Sequence, residues 1–224
     1  MNSSHTAITP VLRTDPANWV ARHESFVQRA QKGGIDILFL GDSITEGWCE
    51  RGLNVWNRYY ESRRAAAFGI DGDRTQHVLW RMEHGELEGI NPRVVVLLIG
   101  TNNTGMEKTD TSKIRNTVPE AIEGVQLVVR RLCEKLPGSK ILLLAIFPRG
   151  TPGDPQRAQV ARVNAAIARL DDGKRVKFLD IGQSFLEADG TLSEKVVPDM
   201  LHLSERGYEL WAEAMEPALN EMLK

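Results

Sequence analysis

Apolar positions along this chain follow two alternating patterns. Residues 35–40, 65–68, 94–99 and 141–147 form short apolar runs, with Asp36 interrupting the first and a weaker run at Val176–Leu179. Such runs predict strands covered on both faces. Between them, apolar residues recur at helical spacing. Trp19, Val20, Phe26, Val27 and Ala30 mark a helix that Asp15-Pro16 starts, as a cap followed by a proline, and that Gly33-Gly34 ends. Thr117-Val118-Pro119-Glu120 is a capping box, and Ile122, Val125, Val129, Leu132 and Leu136 share one face before Pro137-Gly138 stops that helix. Further helices run over 75–82, from Asp154-Pro155 to Leu170, and from Ser204 towards Leu223.

Strands alternating with helices predict βαβ units and right-handed crossovers. The expected fold is a three-layer α/β/α sandwich with a five-stranded parallel sheet in flavodoxin-like order. A length of 224 residues, without internal repeat or linker, reads as a single domain over 1–224 whose first 15 residues form a surface arm.

Composition changes this picture little. A formal net charge of -2 gives no electrostatic reason to expect a nucleic-acid partner. No stretch approaches the roughly 20 apolar residues of a membrane span. The first ten residues lack a basic and an apolar leader segment, so the chain reads as cytoplasmic as written, or as secreted or periplasmic if a signal peptide was removed. Cys49 and Cys133 have neither the number for a disulfide framework nor metal-site spacing, and read as buried or idle thiols. No cofactor or metal is expected.

In an open parallel sheet, ligands bind beyond the carboxyl ends of the strands. There this chain carries Gly41-Asp42-Ser43-Ile44-Thr45, then Gly69-Ile70-Asp71-Gly72-Asp73, then Gly100-Thr101-Asn102-Asn103, and before the last helix Pro198-Asp199-Met200-Leu201-His202. Singly, each block has an ordinary structural explanation: Ser43 as a helix cap, Gly69 or Gly72 in a tight turn, Asn102 in a turn, His202 at a helix start. Together they bring a nucleophile, hydrogen-bond donors and an acid–histidine pair to one end of the sheet, as a reaction centre requires.

The four blocks, in this order, closely resemble those of the SGNH (GDSL-like) hydrolases over about residue 35 to the C-terminus. The stretch 68–87, with Arg74-Thr75-Gln76-His77-Val78-Leu79-Trp80, and the turn Phe147-Pro148-Arg149-Gly150 look like the platelet-activating-factor acetylhydrolase branch and its bacterial relatives. Asp71 departs from the glycine common in that branch, which bears on the shape of the loop carrying Gly72. The resemblance implies Ser43 as nucleophile, an Asp199–His202 pair, and an oxyanion hole from the backbone N–H groups of Ser43 and Gly72 with the Asn102 amide. It also implies a homodimer.

The chemistry fits these residue types. A serine hydroxyl needs a base in hydrogen-bond reach, and a histidine, with an ordinary pKa of about 6.5, can take its proton and return it to the leaving alkoxide. Asp199, three residues before His202, can orient the imidazole. Asp42 and Asn103 read as braces, Asp73 and Arg74 as an ion pair or cap at the start of the 75–82 helix rather than substrate contacts, and His77 and His84 as packing or surface histidines. The walls come from 46–53, 104–117, 149–155 and the run before Asp199. Their shortness fits a short acyl group, with acetylated carbohydrate first by analogy and lysophospholipid-like esters as the alternative. Two competing readings are weaker. A non-catalytic interaction module predicts a damaged constellation, and a flavodoxin-type nucleotide site would not place Asp42 and Glu46 around a phosphate.

Overall fold

The computed structural model describes residues 4–107 and 109–224. In chain order its main elements are α1 (Trp19–Gln31), β1 (Ile37–Gly41), α2 (Ser43–Glu46), α3 (Leu53–Tyr59), β2 (Ala65–Gly69), α4 (Thr75–Glu83), β3 (Val94–Leu98), α5 (Val118–Lys135), β4 (Lys140–Leu144), α6 (Pro155–Ile167), β5 (Val176–Leu179) and α7 (Glu205–Met222). Among the described residues, five strands pair in parallel in the order β2-β1-β3-β4-β5, the predicted flavodoxin-like arrangement.

Alternation along the strands divides the core in two. Leu38, Leu40, Phe68, Val95, Leu97, Ile141 and Leu143 face a layer containing α1, α4, α5 and α6. Ile37, Phe39, Val94, Val96, Leu98, Leu142 and Leu144 face the other layer, with α3 and α7. The register sets Gly41 level with Gly69 and with Leu98, so the loops that follow β1, β2 and β3 leave the sheet at the same edge. Beyond Leu144 the chain departs from the sheet, with Ile146 N–H donating to Asn164 Oδ1 at 2.8 Å.

Local chemistry explains most boundaries. Thr117 and Glu120 form the expected reciprocal capping box of α5. Asp154 caps α6 by accepting Gln156 N–H, and Ser204 caps α7 by accepting Gly207 N–H. The start of α1 is a correction: the helix begins at Trp19, three residues after Pro16, because residues 16–19 form a turn closed by Trp19 N–H on Pro16 O at 2.9 Å. Residues 4–15 of the expected arm are mostly exposed or half-buried. Residues 1–3 lie outside the described residues, and the rest is anchored: Ala7 is buried, its carbonyl accepts Thr75 Oγ1–H at 2.7 Å, and Val11 N–H donates to Gln76 O. Cys49 is exposed rather than buried, and Cys133 is half-buried; both are free thiols. No described helix is long and apolar enough to cross a membrane.

Candidate active site

β1 ends where a side chain has no room. A Cβ on Gly41 would lie 2.2 Å from Leu98 O and 2.3 Å from Thr45 Oγ1. Asp42, rather than Ser43, is the cap of α2: its Oδ1 accepts Ile44 N–H at 3.0 Å. Ser43 is then the first helical residue, whose N–H has no carbonyl partner within the helix. This turn is fastened from both faces of the sheet. Tyr208 O–H donates to Ile44 O at 2.7 Å from the α7 side, and Arg81 Nη2 donates to Gly41 O at 3.0 Å from the α4 side. Trp48, Tyr208 and Trp211 pack below it with ring centroids 4.6–5.9 Å apart.

His202 reaches this serine from the segment before α7. Its Nε2 lies 3.0 Å from Ser43 Oγ and its Nδ1 2.7 Å from Asp199 Oδ2. With Nδ1 facing a carboxylate, the proton belongs on Nδ1 and Nε2 is free to accept from the hydroxyl. Asp199 Oδ1 accepts the backbone N–H groups of Leu201 at 3.1 Å and His202 at 2.6 Å. Partial burial pushes the Asp199 carboxyl up, but the His202 backbone and imidazole bonds outweigh it and leave the group below the usual carboxylate range. The Asp199 side chain is 49% exposed and that of His202 27%, so this pair stands near solvent.

The other two blocks meet each other beyond the strand ends, and Asp71 of the first lines the Ser43 cavity. Gly72 has φ +70°, a conformation that favours glycine. Asn102 Nδ2 donates to Asp73 O at 3.0 Å, which ties the Gly72 loop to the turn after β3 and leaves the second amide N–H unused by that bond. Asn103 braces more than its own loop: its Oδ1 accepts Thr75 N–H, and its Nδ2 bonds Thr75, Gln76 and Asn116. A cavity of about 250 Å³ is lined by Ser43, Glu46, Glu50, Arg51, Asp71 and His202. Beside it, one of about 450 Å³ is lined by Gly72, Asn102, Arg13, Arg74, His77 and Arg115, and Asp71 lines both. The predicted wall 46–53 therefore contributes to the first and 104–117 to the second, save Lys108, which lies outside the described residues. The 149–155 segment lines neither, although Arg149 Nη1 donates to Thr101 Oγ1 at 3.1 Å. A further cavity of about 390 Å³ beside Val160, Phe178 and Leu186 holds none of the predicted site residues.

Carboxylates gather in and around the Ser43 turn. Burial pushes Asp42 up to about 7, against the Ile44 backbone bond, and its Oδ2 has no hydrogen-bond partner. Burial likewise pushes Asp73 up to about 6, with the Arg81 and Arg13 guanidinium groups and Trp19 N–H opposing it. Asp71, where the sequence departs from the common glycine, donates its N–H to Glu46 Oε2 at 2.5 Å. Arg74 forms a two-bond pair with Glu107 at 2.7 and 2.6 Å. His77 caps α4 by accepting Arg74 N–H on Nδ1, and burial holds its pKa well below the ordinary value. His84 stacks on Trp80 at 3.7 Å.

Sequence reasoning missed several of these supports. Arg13 Nη1 donates to Asp71 O at 2.7 Å and sits against Gly72, where a Cβ would meet its guanidinium at 3.1 Å. Nothing in the pattern of the first 15 residues announces that contact. Arg81 carried a readable signal: it lies three residues after Val78, on the apolar face of its helix, where a charge needs buried partners.

A five-stranded parallel α/β fold carries Ser43, His202 and Asp199 hydrogen-bonded in series at its sheet edge, and the chain belongs to the GDSL-like Lipase/Acylhydrolase family, whose model matches residues 39–210. It is a carboxylic ester hydrolase. It is 35% identical over 208 residues to platelet-activating factor acetylhydrolase IB subunit alpha1 of Bos taurus, covering 92% of this chain and 84% of that protein. Among solved structures, a GDSL-like lipase from Bacteroides thetaiotaomicron superposes with TM-score 0.69 at 16% identity, covering 93% of this chain and 98% of the other. An acetylxylan esterase from Geobacillus stearothermophilus superposes with TM-score 0.66 at 20% identity, covering 85% of this chain and 94% of the other.

Proposed function

We propose that this enzyme hydrolyses short-chain acyl esters, acetyl esters foremost, of carbohydrate or small-alcohol leaving groups, through an acyl-enzyme on Ser43. The observation that carries the reading is the relay from Ser43 Oγ through His202 Nε2 at 3.0 Å to Asp199 at 2.7 Å. His202 takes the hydroxyl proton as Ser43 attacks the acyl carbon, and the imidazolium formed is stabilised by Asp199. Negative charge developing on the carbonyl oxygen is met by the N–H groups of Ser43 and Gly72 and the free amide N–H of Asn102. His202 then gives its proton to the departing alkoxide. A water deprotonated by the same imidazole attacks the acyl-enzyme and releases the acid.

Cavity chemistry supports the substrate class. The space at Ser43 is about 250 Å³, room for a short acyl group, and the larger neighbour is lined by Arg13, Arg74, Glu107, Asp71 and Thr109, a donor and acceptor set suited to hydroxyl groups. One observation favours a second reading, in which the ester is lipid-like. Val11 and Leu12, 45% and 42% exposed, line that same cavity, and exposed Met106 and Ile114 bridge to each other at its edge. The acetylhydrolase name of the curated relatives agrees with the acetyl preference under both readings. The proposal includes a homodimer, for which sedimentation of the purified protein is the check.

Steady-state rates on acetyl, butyryl and octanoyl esters of one phenol, beside acetylated xylo-oligosaccharides and a 2-acetyl phospholipid, test the reading. A kcat/KM that falls with chain length and favours the sugar acetate is expected. A preference for octanoyl esters overturns the short-acyl assignment, and a preference for the phospholipid selects the second reading.

A further inference from the structure

We propose that Arg81 is a positioning residue, whose single buried guanidinium holds the nucleophile turn and the two oxyanion loops in register. The inference rests on the Ser43 reading above. Arg81 is fully buried in α4. Nη2 donates to Gly41 O at 3.0 Å, two residues before Ser43, and both terminal nitrogens approach Phe68 O, at 3.3 and 3.4 Å, at the end of the strand that leads to Gly72. Nε lies 3.0 Å from Asp73 Oδ2. Asp73 in turn accepts Trp19 Nε1–H at 2.7 Å and Arg13 Nη1–H at 3.1 Å, and its own carbonyl accepts the Asn102 amide at 3.0 Å. One side chain therefore reaches the loop of Ser43, the strand end before Gly72, and, through Asp73, the loop of Asn102.

Charges are matched across the cluster, while Arg81 Nε and Asp73 Oδ2 form an ion pair without hydrogen-bond geometry. Glu86, fully buried, accepts Arg81 Nη1–H at 3.0 and 2.8 Å, on the nitrogen that also approaches Phe68 O, and His23 Nδ1 stands 3.4 Å from it. Two guanidinium groups, Arg81 and Arg13, face two carboxylates, Asp73 and Glu86, with His77 3.6 Å from Asp73. A buried ionic cluster of this kind is a poor way to add stability, since well-packed apolar residues do as well. What the planar fork supplies instead is fixed direction: it addresses carbonyls at the ends of two adjacent strands at once, which a lysine point charge cannot do. Oxyanion donors act only if they already sit where the charge develops, and displacements near 1 Å cost about 100-fold in rate.

Arg81→Lys and Glu86→Gln, assayed on an acetyl ester with Ser43→Ala alongside, test this. Arg81→Lys keeps the charge against Asp73 and Glu86 but loses the two-carbonyl grip, so kcat falls roughly 10- to 100-fold while KM stays within about twofold. Affinity for a boronic acid that forms a tetrahedral adduct falls by the same factor. Glu86→Gln removes the charge but keeps an isosteric amide oxygen that accepts Arg81 Nη1–H, so it lowers the melting temperature and leaves kcat within about twofold. A folded Arg81→Lys with wild-type kcat overturns the inference, as does a Glu86→Gln that loses kcat equally. Should Arg81→Lys fail to fold, Asp73→Asn carries the test: an unchanged kcat overturns the inference, and a lowered kcat at unchanged KM supports it. An inactive Ser43→Ala beside an unaffected Arg81→Lys refutes the positioning role alone, whereas an active Ser43→Ala refutes the nucleophile reading.

Discussion

The two ends of the Ser43–His202 hydrogen bond stand on different foundations. Ser43 belongs to a turn whose neighbours Asp42, Ile44 and Thr45 are buried, with Tyr208 fastening it on one sheet face and Arg81 on the other. The histidine segment is exposed at Asp199 and Met200 between core anchors at Val197 and Leu203: Asp199 accepts two N–H groups from the next three residues, Met200 adopts φ +59°, and Gly150 N–H donates to Met200 O at 2.9 Å. In the proposed mechanism, attack geometry and charge stabilisation draw on the rigid sheet edge, whereas the water that resolves the acyl-enzyme must reach the imidazole from solvent. The nucleophile side should thus respond to distant core changes, and the histidine side to changes in its own few residues.

The largest effects fall on the relay itself. Ser43→Ala and His202→Ala each lower kcat by roughly a million-fold, and Asp199→Ala by no more than about ten-thousand-fold, because the half-exposed carboxylate orients the base without transferring the proton. The Asp199–His202 double variant loses little beyond His202→Ala, since both serve one step. Steady-state kinetics on one acetyl ester decide this, and a silent Asp199→Ala would leave the imidazole to be oriented by another group. Next comes Asn102→Ala: under the proposed oxyanion role, it removes a donor worth about 2.7–4 kcal/mol in transition-state stabilisation, roughly a hundred- to a thousand-fold in kcat. Its melting temperature, followed by calorimetry, should change far less than its rate.

A pH experiment sharpens the comparison from the stability side. Asp42 is 1% exposed and its carboxyl is raised from 3.8 to about 7 by burial, so between those values the folded protein holds a proton that the unfolded chain has released. Stability therefore falls as pH rises from about 4 to 7 and levels above, by an Asp42 contribution bounded at about 4 kcal/mol. Urea unfolding of Asp42→Asn and wild type across that range should show a shallower decline in the variant. Parallel curves would mean that Asp42 is ionised in the fold. Smallest is Tyr208→Phe, which deletes one buried bond to Ile44 O and lowers stability by about 1–2 kcal/mol, with a few-fold loss of kcat.

The fold was legible because its signals are local. Apolar runs located the strands, and Thr117, Asp154 and Ser204 announced helix starts that the structure keeps. Ser43, Asp199 and His202 could be picked out because strand-end position and residue type coincide, and the structure joins them by hydrogen bonds. The start of α1 was misplaced because Asp15-Pro16 satisfies a cap rule that a following turn overrides. The anchoring of the N-terminal segment was invisible for a different reason: Arg13 meets Asp71 some 58 residues away, and no periodicity encodes a long-range bond between a guanidinium and a carbonyl. Cavity shape is equally non-local, since each of the two spaces beside Ser43 and Asn102 is walled by segments far apart in the sequence.

The claim that Ser43 is the activated nucleophile is tested most directly by intact-mass and peptide analysis of the protein after brief exposure to a fluorophosphonate. One adduct per chain is expected, on the peptide containing Ser43, absent in Ser43→Ala and formed far more slowly in His202→Ala. An adduct on another residue, or one that persists in Ser43→Ala, would contradict the account.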